Sequence, residues 1–589
     1  MIVLGITDGI SCGAAIVQDG RIVSAVNEEA LSRLKMAYGF PRQSIAEVMR
    51  LAGVSSADID VVTVATQDNY FFDGVRPWKG WFTKKNTPFR EVVFRLAGHA
   101  APLAALPGVE AFYYKSRAPI FKRRRDGIQK IIGQEFDIQA PVEFVDHHLA
   151  HCASAYFTSG FDDAMLVSMD GGGDKASSHI YVARNGQFEK VAQTSAFNSL
   201  ANFYAYVTEI CGFVAQKHEG KITGLAAHGE PRYRDLLNSL VTFEDGELKN
   251  VGHVLFGGAL KAILSRLPAG WTREDLSASI QQHSEDLAVA YVKHHLQKHP
   301  NKNLAIAGGL FANVRINQKV GEIPGVNRLF VHPGMTDGGL AVGAALTLCI
   351  SNGTVARMPG SPEVIGNVYY GAAYSDSEIQ AALDEKGLQY TRPACIEQEA
   401  AKLLAEGYVV ARFDGRMEYG PRALGNRSIL YQAGEPSVND WLNTLLCRTE
   451  FMPFAPATLM EYAEESYENV NLGRETARFM TVTFDCTEKM KRTCGGAIHI
   501  DNTARPQLVR AEDNPSYYKI IDEYRKITGV PTVINTSFNM HEEPIVYSPA
   551  DAVRAFLQGH LDYLAIGNFL VKSVEPPKHE LTPVRRVAS

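Results

Sequence analysis

A strand-and-turn pattern that occurs twice is the feature that most constrains the fold of this chain. Each copy has a strand, a turn rich in glycine and aspartate, and two further strands joined by a tight two-residue turn. The first copy covers residues 2–26 with its tight turn at Asp19-Gly20, and the second covers residues 164–192 with its tight turn at Asn185-Gly186. The repetition predicts two similar halves that arose by internal duplication. Two unrelated β-meanders would give the same local pattern.

Internal duplication of this plan is typical of the fold of actin, Hsp70 and the sugar kinases, in which ATP lies between two similar halves. We therefore expect a duplicated actin-like (ASKHA) N-terminal domain of the α/β class. Residues 273–299 have apolar positions at helical spacing, and residues 303–307 form a short apolar strand. Residues 351–367 are rich in Gly, Pro and Ser and predict a linker. The expected domains are residues 1–355 and residues 356–589.

Length, charge and cysteine content exclude several classes of protein. A length of 589 residues exceeds what one hydrophobic core supports. The net charge of −6 gives no basis for general binding to nucleic acid or membranes, and we interpret the basic run at residues 122–125 as a solvated helix face. The eight cysteines include no CxxC pair and predict reduced thiols. The sequence contains neither a secretory signal nor an apolar run of about 20 residues, so we expect a cytoplasmic protein.

Two histidines are spaced to bind a metal ion. His147 and His151 are four residues apart in a predicted helix and share one face, whereas His148 points elsewhere. Asp337, in a Gly-rich turn before a helix, offers a third ligand. This donor set suits iron(II) first, with zinc or magnesium as alternatives. Structural histidines, and an Asp337 that caps its helix, are the competing interpretations.

Three glycine-containing segments predict a nucleotide site. In the first, residues 170–174, successive backbone N–H groups between two strands can face phosphate oxygens. The second segment, with Lys221 and Gly224, adds a cation and a glycine that permits close approach of a ligand. The third segment, residues 308–313, ends a predicted strand at the point where a helix starts. Together they predict ATP as a ligand. The candidate residues are Asp170, Gly171, Gly172, Gly173, Lys221, Gly224, Gly308, Gly309 and Asn313.

An arginine-rich loop further along the chain predicts an anion site. Arg416, Arg422 and Arg427 lie within twelve residues interrupted by glycines, and guanidinium groups bind phosphate in a bidentate way. A surface loop with ion pairs is the alternative. Further candidates are Arg448, Arg505 and Asn535, the last in an apolar strand that ends in polar residues.

The ordered motifs of nearly the whole chain resemble those of the NodU/CmcH family of O-carbamoyltransferases, which includes nodulation-factor, cephalosporin and aminoglycoside carbamoyltransferases. The motifs that carry this resemblance include DHHLAH (146–151), DGGGD (170–174), EGKITGLAAHG (219–229), HPGMTDGGLAVGAAL (332–346), GRMEYGPRALGNRSIL (415–430), TARPQ (503–507) and NTSFNMHEEPIV (535–546). So many motifs in the same order make the resemblance specific.

The resemblance implies a fold and a reaction. The N-terminal domain is similar to the tRNA threonylcarbamoyl transferase, and the C-terminal domain to the α+β fold of threonylcarbamoyl-AMP synthase. By this likeness the C-terminal domain converts carbamoyl phosphate and ATP into carbamoyl-adenylate and pyrophosphate. The N-terminal domain then transfers the carbamoyl group to a hydroxyl or amine of a small metabolite or glycan, as in antibiotic biosynthesis.

The resemblance also implies roles for particular residues. His147, His151 and Asp337 match the metal ligands of the family. Arg422, Arg505 and Ser537 match residues that hold the carbamoyl-adenylate or its precursors. A homodimer is left open.

Three positions depart from the family pattern. Ile10 stands where the family has a catalytic histidine, Leu446 where it has a lysine that contacts carbamoyl phosphate, and Met452 where it has an arginine. Nearby groups that could take over the lost roles are Asp8, His332 and Arg448. Otherwise the chain uses a different donor in a related adenylate-forming reaction, or is a degenerate nucleotide-binding partner.

Overall fold

The computed structural model of the chain describes residues 1–82, 109–351, 356–446, 454–575 and 577–584. The chain forms two compact units. The first unit comprises Met1–Glu28 and Met36–Val364, and the second comprises Glu29–Lys35 and Ile365–Ser589. Within the described ranges, no helix has both the length and the apolar character needed to cross a membrane.

The first unit combines short strands with helices of very different lengths. Its strands are β1 (Ile2–Thr7), β2 (Gly13–Gln18), β3 (Arg21–Asn27), β4 (Ala37–Tyr38), β5 (Val61–Ala65), β6 (Arg76–Pro77), β7 (Val142–Val145), β8 (Asp163–Gly173), β9 (Ala176–Arg184), β10 (Gln187–Ser195), β11 (Thr242–Glu244), β12 (Glu247–Lys249), β13 (Asn303–Ala307) and β14 (Arg328–Val331). Its α-helices are Arg42–Ala52, Val109–Glu135, His147–Phe157, Leu200–Ile210, Glu219–Ala226, Arg234–Asn238, Phe256–Leu264, Arg273–Lys298, Val314–Gly321 and Leu340–Leu346.

Two five-stranded sheets of this unit share one topology. Their strand orders are β3-β2-β1-β5-β7 and β10-β9-β8-β13-β14. In each sheet three consecutive strands form an antiparallel meander, and two later strands extend it in parallel. The repeat therefore includes the parallel strands as well as the meander. This confirms the predicted duplication and the actin-like α/β class, and excludes two unrelated meanders.

Both predicted hairpin turns are present at the same place in the two sheets. Asp19 and Gly20 have φ angles of 49° and 80°, and Asn185 and Gly186 have φ angles of 48° and 78°. Positive φ at both central residues is the geometry of a type I′ turn, whose twist matches that of the flanking strands.

Helix Leu340–Leu346 packs in close backbone contact with helix His147–Phe157. A Cβ added to Gly343, in helix Leu340–Leu346, would lie 2.0 Å from the carbonyl oxygen of Ala150 in helix His147–Phe157. Only glycine permits such an approach of two backbones. The turn that precedes helix Leu340–Leu346 is thereby placed beside the first turns of helix His147–Phe157.

The second unit is built around a mixed eight-stranded sheet. The strands of this sheet are β15 (Tyr390–Thr391), β16 (Val410–Phe413), β17 (Arg427–Gln432), β18 (Ala455–Leu459), β21 (Gln507–Val509), β22 (Thr532–Ser537), β23 (Tyr563–Ile566) and β24 (Phe569–Lys572), and β19 (Phe484–Asp485) and β20 (Thr503–Ala504) form a separate pair. The order is β15-β24-β23-β16-β17-β22-β18-β21, with parallel pairs only at β16/β23 and β18/β21 among the described strands. The α-helices are Asp376–Glu385, Ile396–Ala405, Val438–Leu445, Ala463–Ser466, Glu488–Thr493, Pro515–Thr528 and Pro549–Gln558, and helix Glu28–Ser32 starts at the last residue of the first unit's opening segment. Mostly antiparallel strands with separate helices match the expected α+β class.

Candidate active site

Two histidines and two carboxylates of the first unit converge on one point. The Nε2 atoms of His147 and His151 each lie 3.2 Å from Oδ2 of Asp170. Oδ1 of Asp337 lies 3.8 Å from Nε2 of His147 and 3.7 Å from Nε2 of His151. One ligand atom of each residue lies within 4.8 Å of those of the others. We refer to these four residues as the His/Asp cluster.

The start of helix His147–Phe157 fixes the two imidazoles. Asp146 is its N-cap and accepts a hydrogen bond from the backbone N–H of Leu149 at 2.8 Å. Histidines at positions i and i+4 of this capped helix face the same side. His148 turns away, as the spacing predicts, and its Nδ1 lies 3.0 Å from Oγ of Ser168.

The two carboxylates reach the cluster from the same edge of the second sheet. Asp170 lies near the end of β8, and Asp337 follows β14 after a short turn. Strands β8 and β14 both run parallel to β13, so their carboxyl ends meet at one edge. The carboxylate of Asp337 is directed at the imidazoles, which does not support the interpretation that it caps its helix. The sequence places Asp170 in a predicted nucleotide segment, whereas its position near the end of a strand, with Asp337 shortly after β14, indicates a shared site.

Burial and mutual charge set the protonation of the His/Asp cluster. Burial disfavours the imidazolium of His147, but the hydrogen bond to Asp170 and the charge of Asp337 outweigh it and raise its pKa to about 9. Burial also opposes ionisation of Asp170, yet hydrogen bonds from the two histidines hold its pKa well below the ordinary value. Burial and the charge of Asp170 raise the pKa of Asp337.

This donor set fits a divalent cation. Two imidazole nitrogens and two carboxylate oxygens are ligands that iron(II) and zinc accept. Burial and the nearby charge of Asp170 both disfavour the ionised form of Asp337 and raise its pKa. A cation between the two carboxylates would offset their negative charge.

Glycines of two predicted nucleotide segments border the cluster. A Cβ added to Gly173 would lie 2.3 Å from Cγ of His147, and one added to Gly309 would lie 2.8 Å from Oδ1 of Asp170. Gly308 has a φ of 111°, which favours glycine. A side chain at Gly173 or Gly309 would clash with His147 or Asp170, so the backbone of both segments packs directly against the cluster.

The other predicted nucleotide residues are placed by helices. Lys221 and Gly224 belong to one helix, in which Lys221 is buried with its Nζ 5.7 Å from the ring centre of Phe213. Asn313 is the N-cap of another helix, and its Nδ2 donates to Oε1 of Gln281 at 2.7 Å. The structure therefore gives Asn313 a capping role, and nucleotide binding by these three residues stays a prediction.

Asp8 and His332, two candidate replacements for the missing histidine, are both buried. Asp8 accepts hydrogen bonds from Nε and Nη2 of Arg124 at 2.8 and 2.6 Å. This bidentate pair gives Asp8 a structural contact, and a catalytic role for Asp8 stays a prediction. The burial of Arg124 also corrects the interpretation of residues 122–125 as a wholly solvated face. Burial lowers the pKa of His332 to about 3.

The loop that contains Ile10 adjoins the His/Asp cluster. Nδ2 of Asn27 donates to the backbone oxygen of Ser11 at 3.0 Å and to that of Gly338 at 3.3 Å. Gly338 follows Asp337 directly in the chain. The departure at Ile10 from the family pattern therefore falls beside the candidate metal site.

Two of the three clustered arginines of the second unit organise their own loop. Arg427 is fully buried and donates to four backbone carbonyls, and Arg416 donates to two. Burial lowers the pKa of Arg427 to about 10. The predicted clamp of three arginines is therefore wrong in this respect, because these two guanidiniums are committed to the backbone. Arg422 remains as the anion-binding candidate.

Hydrogen bonds join the segments that carry Arg422, Arg505 and Ser537. Nδ2 of Asn535 donates to the carbonyl that follows Arg422 at 3.2 Å and to Oε1 of Gln507 at 2.7 Å. The Gln507 amide in turn donates to the backbone of the arginine-rich loop at 2.8 Å. The three candidate side chains are each partly exposed. Their segments thus meet in one polar region, with Asn535 at its centre.

Of the two other departures from the family pattern, only Leu446 lies within the described residues. Leu446 is fully buried at the end of helix Val438–Leu445 and belongs to the apolar core of its unit. Arg448 and Met452 lie outside the described residues.

Comparison with known proteins identifies the family. The model described as "Carbamoyltransferase N-terminus" matches residues 3–346, and that described as "Carbamoyltransferase C-terminus" matches residues 401–573. Nodulation protein NolNO of Sinorhizobium fredii is 31% identical over 572 residues, which cover 95% of this chain and 78% of that protein. Nodulation protein NolO of Bradyrhizobium diazoefficiens is 33% identical over 438 residues, which cover 73% of this chain and 79% of that protein. The chain therefore belongs to the carbamoyltransferase family and is a transferase enzyme.

Proposed function

We propose that this carbamoyltransferase uses ATP to convert carbamoyl phosphate into carbamoyl-adenylate, and then transfers the carbamoyl group to a hydroxyl of a small metabolite or glycan. The observation that carries the proposal is the His/Asp cluster, placed in the actin-like unit of a chain of this family. The polar region around Asn535 supports a separate activation site in the second unit.

The two proposed steps balance as follows. Water hydrolyses carbamoyl phosphate to carbamate and inorganic phosphate. The carbamate oxygen then attacks the α-phosphorus of ATP and displaces pyrophosphate. The acceptor hydroxyl then attacks the carbamoyl carbon, the bond to AMP breaks, and the hydroxyl proton passes to a base. Arg422 and Arg505 would neutralise the two polyanions that must meet in the first step.

In the first unit, His147, His151, Asp170 and Asp337 would hold the divalent cation, which as a Lewis acid polarises a bound oxygen. Gly173 and Gly309 place backbone directly against these ligands, and backbone N–H groups there could approach a phosphate closely. Iron(II) is our first expectation for the cation, followed by zinc.

Pyrophosphate release tests the activation step. Purified enzyme with ATP should release pyrophosphate only when carbamoyl phosphate is added. Arg422→Ala should lower this rate by about 100-fold, because it removes a cation that faces the anionic substrates. Arg492→Ala, an exposed arginine of the same unit, is the matched control and should leave the rate unchanged. If carbamoyl phosphate caused no release of pyrophosphate and another carboxylate donor did, the results would support a different donor instead.

A cluster variant tests the assignment of the two steps to two sites. In His147→Gln, carbamoyl-adenylate should still form and be detectable by mass spectrometry, whereas carbamoylation of a panel of hydroxyl acceptors should stop. If His147→Gln instead abolished adenylate formation while the protein stayed folded, the division of steps would be wrong.

A further inference from the structure

The ring nitrogen of His147 that faces away from the two carboxylates of the cluster has a specific partner, Thr66. Nδ1 of His147 lies 3.1 Å from Oγ1 of Thr66, and both residues are buried. Its Nε2 faces Asp170 and Asp337. To bind a cation, Nε2 must present a lone pair, so the ring hydrogen must sit on Nδ1. Thr66 Oγ1 is then the acceptor of that N–H.

Thr66 holds this position in an unusual backbone conformation. Its φ is 72°, in a region that β-branched residues rarely occupy. Arg124 supports this conformation, because its Nη1 donates to the Thr66 carbonyl at 2.8 Å and its Nη2 to the Ala65 carbonyl at 3.2 Å. Asp8 fixes the same guanidinium through its two oxygens. Strained backbone of this kind persists where surrounding contacts over-determine it.

A second carboxylate ties the Thr66 turn to the helix that carries His147. Asp174 accepts hydrogen bonds from the backbone N–H groups of Gln67 at 2.9 Å and Asp68 at 2.7 Å. It also accepts one from the backbone N–H of His147 at 2.7 Å. The Asp174 side chain thus sets the spacing between the turn at Thr66 and the first residue of helix His147–Phe157.

The two histidines differ in this respect. Nδ1 of His151 is buried and has no hydrogen-bond partner among the residues that the structure describes. His147 is therefore the ring whose orientation is set from behind. Partners of this kind around metal-binding histidines typically contribute 10- to 100-fold to metal affinity, as an order of magnitude.

We propose that Thr66 is a positioning residue, which fixes the tautomer and ring orientation of His147 for cation binding, and that Arg124 holds Thr66 in place. The inference rests on the proposed cation role of the His/Asp cluster. It adds the Thr66–Arg124–Asp8 chain to that site, and it explains why a carboxylate at the end of β1 and a basic residue of helix Val109–Glu135 are buried together.

Cobalt(II) titration of metal-stripped full-length protein tests the proposal without any reaction. Thr66→Val keeps the branched shape and the backbone contacts but loses the hydroxyl, so it should bind cobalt(II) about 10- to 100-fold more weakly and show altered visible absorption bands. Thr66→Ser should restore both. Thr63→Val is the matched control: Thr63 lies in β5, which ends one residue before Thr66, and its hydroxyl is buried without a partner among the described residues.

The outcomes separate this inference from the proposed function. If wild-type protein does not bind cobalt(II), the proposed cation site fails. If wild type binds it and Thr66→Val binds it with the same affinity and spectrum, the positioning role is overturned. Should Thr66→Val not fold, 15N spectra of histidine-labelled wild type with zinc decide, because a His147 without a proton on Nδ1 contradicts the proposal.

Discussion

At the scale of single residues, Asp170 is the group on which the His/Asp cluster depends. Its Oδ2 is shared by both imidazoles at 3.2 Å, whereas Asp337 stands farther from both. A carboxylate in this place contacts both rings and would supply negative charge to a divalent cation. The same residue, judged from its Gly-rich surroundings alone, predicts phosphate binding.

Asp170→Asn tests this assignment. The substitution keeps the shape but removes the charge, so cobalt(II) or zinc affinity should fall by at least about 100-fold, more than for the loss of an outer partner. Calorimetric titration of metal-stripped protein measures it. Asp163→Asn, an exposed aspartate at the start of the same strand, should bind the cation as wild type does. Equal affinity in Asp170→Asn would mean that this carboxylate is not a ligand.

The limits of prediction at this scale have a physical cause. Spacing alone identified His147 and His151, because the helical period brings positions i and i+4 together. It could not identify Thr66 or Arg124, because their roles depend on a positive φ and on a buried contact with Asp8 that is 116 residues distant in the chain. A basic run such as residues 122–125 gives no sign that one of its members is buried.

The pH dependence of stability offers a second test among single residues. His332 is fully buried, its Nδ1 lies 3.0 Å from Oγ1 of Thr158, and burial lowers its pKa to about 3. Because an unfolded histidine has a pKa near 6.5, protons bind the unfolded state preferentially below that pH. His332 therefore contributes no pH dependence above pH 6.5 and a growing loss of stability as the pH falls from 6.5 toward 3.

His332→Asn should remove this contribution. Thermal unfolding of metal-free protein at pH 7 and at pH 5 should show a smaller decrease in Tm for His332→Asn than for wild type, by a few degrees. His228→Asn, at an exposed histidine of the same unit, should retain the wild-type decrease. An identical decrease in all three proteins would show that His332 is not kept neutral by its surroundings.

At the scale of elements, local sequence rules worked well where one residue type dictates the geometry. The Asp19-Gly20 and Asn185-Gly186 turns, strand Asn303–Ala307 and helix Arg273–Lys298 all lie where the pattern places them. The arginine-rich loop could not be predicted in the same way, because charge alone does not show whether a guanidinium faces a ligand or a backbone carbonyl. Arg416 and Arg427 do the latter.

The helix that carries both histidines should depend on its N-cap. Asp146→Ala removes the hydrogen bond to the backbone N–H of Leu149 and should lower the free energy of unfolding by about 1 kcal/mol. Asp146→Asn keeps an acceptor oxygen and should recover most of this loss. Chemical denaturation followed by circular dichroism measures the difference. If alanine and asparagine were equally destabilising, the charge of Asp146 or its contact with His179, and not the cap, would be responsible.

At the scale of the whole molecule, the sequence motifs divide between two units with separate sheets. The His/Asp cluster and its glycine-rich borders belong to the first unit, and the Arg422, Arg505 and Ser537 segments belong to the second. The duplication could be predicted because it repeats along the chain. The eight-stranded order of the second unit could not be predicted, because β15 pairs with β24 across more than 170 residues of sequence.

Hydrogen exchange measured by mass spectrometry can therefore separate the two sites in the intact enzyme. A ligand at 100 times its Kd stabilises its binding unit by about 2.7 kcal/mol. Amide exchange that requires an opening in which the ligand is released should therefore slow by about 100-fold. Cobalt(II) should protect peptides covering helices His147–Phe157 and Leu340–Leu346 and leave strand Arg427–Gln432 unchanged. Carbamoyl phosphate should protect that strand and strand Thr532–Ser537. A His147→Gln/His151→Gln variant should lose only the cobalt response, and carbamoyl phosphate protection confined to the first unit would contradict activation in the second.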